Sequence, residues 1–93
     1  MEFTFTAEII YWRGPAPFYF LKIPKKFGAE IKAISKEVTY GWGVIPVFAK
    51  GGGSEWKTSL FPKDGDYLLP IKKIVREKAG LDEGDSFKVH LEI

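Results

Sequence analysis

The chain has no cysteine, no asparagine and no glutamine, and a single histidine in 93 residues. Without cysteine there is no disulfide framework, no thiolate nucleophile and no thiolate metal site, and redox chemistry places no constraint on compartment. With one histidine a zinc site would need mostly carboxylates, an uncommon ligand set, so neither a metal nor a cofactor is expected. Long apolar runs are missing too: nothing approaches the roughly 18 consecutive apolar residues of a membrane span, and Glu2-Phe3-Thr4-Phe5 is no charged leader before an apolar stretch. The expectation is a cytoplasmic protein without a membrane partner. An excess of one charge is also absent, since 14 basic and 12 acidic residues leave a net +2. That leaves nucleic acid open as a partner but unsupported. Lacking Asn and Gln while rich in Lys and Glu, the composition has the drift expected of a thermophilic source.

What is present is aromatic. Eight Phe, three Trp and four Tyr within a 45% hydrophobic chain supply a packed core for one domain, residues 1–93, without staples. Phe3, Phe5, Ala7, Ile9 and Tyr11 alternate with Glu2, Thr4, Thr6, Glu8 and Ile10, which predicts a long first strand with one face on the core. Gly14-Pro15-Ala16-Pro17 breaks it, and Phe18 to Ile23 reads as a second strand, apolar on both faces except at Lys22. Pro24 suits a helix start, with Phe27, Ile31 and Ile34 on one face of a helix over about 25–36. Gly41-Trp42-Gly43 opens a third strand, Val44 to Lys50, in which Pro46 argues for a sheet edge or bulge.

After Gly51-Gly52-Gly53-Ser54, read as a flexible hairpin turn, Trp56, Thr58 and Leu60 alternate with Lys57, Ser59 and Phe61 as a fourth strand. Turn chemistry at Pro62 to Asp66 leads to a short strand, Tyr67 to Leu69. Pro70 is expected to start a second helix with Ile71, Ile74, Val75 and Ala79 on one face and Gly80 as a left-handed cap. The last strand turns Phe87, Val89, Leu91 and Ile93 inward and Lys88, His90 and Glu92 outward, and pairing it with the first would close a barrel. A weak repeat of about 46 residues lays Phe20 to Phe27 over Tyr67 to Ile74, as two pseudo-repeated halves would require. The fold class is mainly β: a small barrel of about six or seven strands with two short helices.

Trp56-Lys57-Thr58-Ser59-Leu60-Phe61-Pro62, Tyr67-Leu68-Leu69-Pro70, Val75-Arg76 and Gly84-Asp85 together resemble the signature of a small bacterial and archaeal family known only as a domain of unknown function. The similarity runs over essentially the whole chain, and some members resemble a domain fused to a YdeI/OmpD-associated companion. It implies a double-split β-barrel with two short helices, related to the swapped-hairpin barrels of AbrB-like and MazE-like transcription factors, and it implies no activity. Those factors build the barrel from two chains. Here one chain would hold both halves, so a monomer is compatible with the fold.

The strongest polar cluster is Lys57, Thr58 and Ser59 on the fourth strand with Arg76 on the second helix. One reading is a pocket for a small anionic ligand or a protein partner, with Arg as a planar fork and hydroxyls as donors; the other is a hydrogen-bonded brace between helix and barrel. A nucleic-acid regulator would instead use Lys25, Lys26, Lys72 and Lys73. The glycine run lacks the strand-to-helix setting and the Gly-Lys-Ser/Thr ending of a phosphate loop. His90 reads as a solvent-facing strand residue rather than part of a nucleophilic triad. Asp64, Asp66, Asp82, Glu83 and Asp85 read as turn formers, and Trp12, Trp42, Tyr11 and Tyr40 as core filling before base-stacking platforms. No acid, base and nucleophile set can be named, so an enzyme is the least favoured class.

Overall fold

The computed structural model describes residues 1–15, 18–38 and 44–93, with the backbone alone for 35–38. Its elements are β1 (Glu2–Trp12), β2 (Phe18–Lys22), α1 (Lys25–Val38), β3 (Ile45–Gly51), β4 (Ser54–Lys63), β5 (Asp66–Ile71), α2 (Lys73–Ala79) and β6 (Ser86–Glu92). The six strands form a closed antiparallel barrel in the order β1-β2-β5-β4-β3-β6. That order maps onto itself when β1 and β4, β2 and β5, and β3 and β6 are exchanged. The expected Gly41-Trp42-Gly43 opening, Tyr40 and the Ala16-Pro17 break lie outside the described residues.

Two long strands each serve two neighbours. β1 pairs with β6 through Glu2 to Glu8 and with β2 from Ile9 to Trp12. β4 pairs with β3 from Ser54 to Leu60 and with β5 from Phe61 to Lys63. Where β1 changes partner, its backbone also needs the turn before β6: Ile9 N–H donates to Asp85 O at 2.9 Å, and Gly84 N–H donates to Ile9 O at 2.8 Å. Buried peptide groups left unpaired would be costly, so the Asp82 to Asp85 turn is part of the barrel wall. Its own shape is held by the Asp82 and Asp85 carboxylates, which accept from the backbone N–H of Glu83 and Asp82 at 2.8 Å each.

The period-two alternation decides what fills the barrel. Ile9, Leu21 and Leu69 lie opposite one another across β1, β2 and β5 and are all essentially inaccessible. On the other side Ala49 faces Trp56 and Leu91, so a small residue makes room for the indole. Trp56 stays satisfied in this dry setting because its Nε1–H donates to Pro70 O at 3.2 Å. Ile31 of α1 and Val75 of α2 complete the core, and Phe27 packs on Phe3 with ring centroids 5.1 Å apart. Each fully buried aliphatic side chain of this kind contributes roughly 1.5–3 kcal/mol. A second apolar group lies on the outer wall: Phe20 and Leu68 are buried outside the core cluster, with Ile10, Trp12, Phe18 and Phe61 around them.

The three strand prolines share one property. Pro46 pairs with β4 but lies beyond the β3–β6 ladder, Pro62 pairs with β5 beyond the β3–β4 ladder, and Pro70 pairs with β2 beyond the β4–β5 ladder. Each sits where its strand has one neighbour, the position that tolerates a missing N–H. Pro70 therefore belongs to β5, and α2 begins three residues later than its sequence suggests. The delay rotates the expected apolar face: Val75 is buried, whereas Ile74 is 73% exposed. The two strands of the sequence overlay, β2 and β5, are neighbours in the barrel, with Leu21 paired to Leu69. Gly80 caps α2 in the left-handed region as expected, at φ 67°. None of the described helices is long and apolar enough to cross a membrane.

The glycine run is packed rather than loose. Gly52 and Gly53 form the two-residue turn between β3 and β4 with φ of 58° and 79°. A Cβ on Gly52 would lie 2.7 Å from Ala79 Cβ, and one on Gly51 would lie 2.8 Å from the Lys88 carbonyl oxygen and 2.9 Å from the Phe87 ring. The hairpin tip is thus seated on α2 and β6. Gly51→Ala is expected to lower unfolding stability by about 2 kcal/mol or more through the backbone clash, and Gly52→Ala by about 1–3 kcal/mol through strain and contact. Gly53→Ala meets nothing nearer than 3.7 Å and carries the strain alone. Urea midpoints rank the three variants; equal, near-zero shifts would contradict the seated tip.

Candidate functional site

Seating the hairpin tip against α2 leaves an open groove of about 1050 Å³ between them. Its apolar floor comes from Phe48, Trp56, Ile74 and Val75, and its cations are Lys50, Lys57, Lys72 and Lys78, with Glu55 as the one carboxylate among the lining residues. Local structure explains the set. Phe48 and Lys57 are directly opposed across β3 and β4 and both point outward, opposite in sense to the inward pair Ala49 and Trp56. Lys72 is the extended residue before the first turn of α2, and Ile74 is its exposed apolar residue.

The four lysines are not equivalent. Lys78 donates to Gly53 O at 2.9 Å, which fixes its ammonium at the hairpin tip without neutralising it. Lys50 lies 3.8 Å from both Glu55 and Glu92, so its charge is shared with the wall. Among the described residues Lys57 and Lys72 form no ion pair. Two uncompensated ammonium groups over an apolar floor make a field that favours an anion carrying an apolar body. Each attraction is worth on the order of 1–4 kcal/mol at 4 Å, depending on how much water remains.

The sequence-predicted residues divide. Lys57 lines the groove, and it also lines a smaller recess of about 240 Å³ with Thr58, Pro46, Phe48 and Glu92. Ser59 is half-buried opposite Pro46 and lines neither. Arg76 lies elsewhere: its guanidinium stacks over the Tyr19 ring at 3.9 Å, Nη1 donates to Leu81 O at 3.3 Å, and Asp82 is 3.8 Å away. Arg13 mirrors it, over Tyr11 at 5.1 Å and 3.3 Å from Glu83, and the two tyrosines meet at 4.6 Å. The acidic turn therefore holds two arginines, and the arginines enclose two rings. That is brace geometry, and the buried, unpartnered Arg76 Nε offsets part of its gain.

The lysines of the nucleic-acid reading are distributed over separate places. Lys72 lies in the groove, while Lys73 is paired with Glu77 at 3.6 Å. Lys25 lines a separate recess with Asp64 and Asp66, and Lys26 lies over the Phe27 ring at 4.8 Å. Of the proposed stacking residues, Tyr11 is engaged with Tyr19, and Trp12, 43% exposed, carries Lys63 over its ring at 4.3 Å. Sequence reasoning gave no site role to Phe48 and Lys50 of β3 or Glu55 of β4, nor to Lys78 and Ile74 of α2. Their spacing on α2 was visible, but which side of the helix faces the hairpin depends on where the helix starts.

The geometry thus defines a small closed β-barrel with a lysine-rimmed groove outside its wall. A family model, Domain of unknown function (DUF1905), matches residues 5–91, and the chain belongs to that family. A comparison with curated proteins found no match.

Arg76→Ala is expected to cost about 1–2 kcal/mol of stability by removing the stack on Tyr19 and the bond to Leu81, whereas Lys57→Ala should stay within about 0.5 kcal/mol of the parent. Chemical denaturation measures both. An Arg76 variant as stable as the parent would remove the brace.

Proposed function

We propose that the barrel is a non-catalytic binding module whose groove takes a small anionic ligand with a flat or apolar body. The observation that carries this reading is the pairing of unneutralised Lys57 and Lys72 with the exposed Ile74 and the edge of Phe48 in one concave surface. Pockets that bind small ligands combine an apolar lining with a few oriented polar groups, and this groove has that composition. A binding role, rather than a catalytic one, is supported by the titratable lining: four lysines and a glutamate already shared with Lys50 offer no acid–base pair across a reacting atom. Lys57 and Lys72 would hold the anion, Lys78 would add field from the hairpin tip, and Thr58 would offer a hydroxyl in the adjoining recess. Arg76 would act from outside the groove by holding α2 in place.

The partner change within β1 and β4 supports reading the architecture as a double-split barrel. A source growing at high temperature is supported by the lack of Cys, Asn and Gln and the wealth of Lys and Glu.

Amide NMR titration of the labelled protein at low salt with 1-naphthyl phosphate, compared with inorganic phosphate, tests the reading. The aryl ester is expected to bind at least several-fold more tightly, with shifts centred on Phe48, Lys57, Lys72 and Ile74 that weaken as salt is raised. A Lys57→Glu/Lys72→Glu double variant should keep the fold and lose at least tenfold in affinity. Shifts centred on other surfaces, or undiminished binding by the double variant, would overturn it.

A further inference from the structure

Strand register brings the only histidine, His90, beside two glutamates from both ends of the chain. Glu2 is opposite Glu92 and Thr4 is opposite His90 in the β1–β6 ladder, while Lys50 of β3 is opposite His90 on its other side. All of these side chains point outward. His90 Nε2 is 3.0 Å from Glu2 Oε1 and 3.8 Å from Glu92 Oε1, and one ligand atom from each of the three residues lies within 4.8 Å of the others. We propose that Glu2, His90 and Glu92 form a binding site for a divalent transition-metal ion of the zinc type, spanning the seam between the first and last strands.

Three features carry this. Ligands bound at about 2.0–2.2 Å in a tetrahedron lie about 3.4 Å apart, and the two nitrogen-to-oxygen separations straddle that value. The glutamate side chains are more than 40% exposed, so a small rotation closes the remaining distance without moving the barrel. Secondly, the far nitrogen is occupied: Thr4 Oγ1 lies 2.8 Å from His90 Nδ1. In the tautomer whose Nδ1–H donates to that hydroxyl, Nε2 turns its lone pair toward the two carboxylates and can take a cation between them; in the other, Nε2–H donates to Glu2, a bond that the ion would replace. An outer partner that fixes the tautomer and ring direction is the usual companion of a metal-binding imidazole. Thirdly, two carboxylates and one neutral imidazole balance a divalent charge, and a mixed nitrogen and oxygen set suits zinc, copper and nickel over calcium and magnesium. Water would complete the shell, since three protein ligands leave a position open.

Lys50 gives the site a distinctive signature. Its ammonium is 3.8 Å from Glu92 and competes with any ion for that carboxylate. Removing it should tighten metal binding, the opposite of what loss of a ligand does.

The test is calorimetric titration of the chelator-treated full chain with zinc chloride, followed by thermal unfolding with and without zinc. One ion per chain is expected, with a raised unfolding temperature, because an ion bound across β1 and β6 stabilises the folded state by mass action. His90→Ala should abolish binding, Glu92→Gln should weaken it at least tenfold, Thr4→Val should weaken it about tenfold to a hundredfold, and Lys50→Ala should strengthen it several-fold. Cobalt(II) absorption in the visible provides a second readout of a nitrogen and oxygen site should His90→Ala fold poorly, with Glu92→Gln as the variant compared. No heat and no thermal shift at millimolar zinc, or undiminished binding by a folded His90→Ala chain, would overturn the proposal.

Discussion

Every feature of this molecule depends on how β1 and β4 satisfy their backbones while passing from one neighbour to another. A strand that leaves its partner exposes a run of peptide groups, and in a barrel this small that run lies against the core. β1 meets the demand at Ile9 by drawing in the carbonyl of Asp85 and the N–H of Gly84. The Asp82 to Asp85 turn is consequently pinned from both sides, by its own carboxylates and by the strand. Once it is pinned, Asp82 and Glu83 can hold Arg76 and Arg13 over Tyr19 and Tyr11. One backbone requirement thus sets the position of α2, and α2 sets one wall of the groove.

The same arrangement separates the cations by duty. Arg76 is 18% exposed, and its fork is spent on a ring, a carbonyl and a carboxylate. Lys57 and Lys72 have no such partners among the described residues, and their ammonium groups remain free to attract something else. Lys50 stands between these cases, because it lines the groove and is drawn toward the β1–β6 seam by Glu92.

Much of the barrel was legible in the sequence because strand alternation is a local signal. Phe3, Phe5, Ile9, Trp56, Leu60, Phe87, Val89 and Leu91 fall inside as their spacing predicts. The helix starts were harder, since proline marks both a first helical turn and a strand with a single neighbour, and Pro70 is the second kind. That one ambiguity placed Ile74 on the buried face, whereas the structure leaves it exposed. The proposed Lys57, Ser59 and Arg76 cluster rested on the shortness of the Pro62 to Pro70 link. Proximity along the chain says nothing about direction, and Arg76 faces Tyr19 of β2, a neighbour supplied by the β2–β5 pairing. The contact of His90 with Glu2 was illegible for the same reason: it requires the closing register of the first and last strands, whereas Glu92 shares the outward face of the histidine's own strand.

The three strand prolines have a consequence for how the protein can be recognised. Many domains capture an extended peptide by β-augmentation, lending a free strand edge whose main-chain groups bind any sequence and whose pockets then choose among them. A closed barrel withholds that edge, except where a strand runs past one of its neighbours. Pro46, Pro62 and Pro70 occupy such stretches and take away the donor there. At those three positions recognition falls to side chains. Ligand preference in this scaffold can change by substitution on the wall alone, with no strand obliged to shift register.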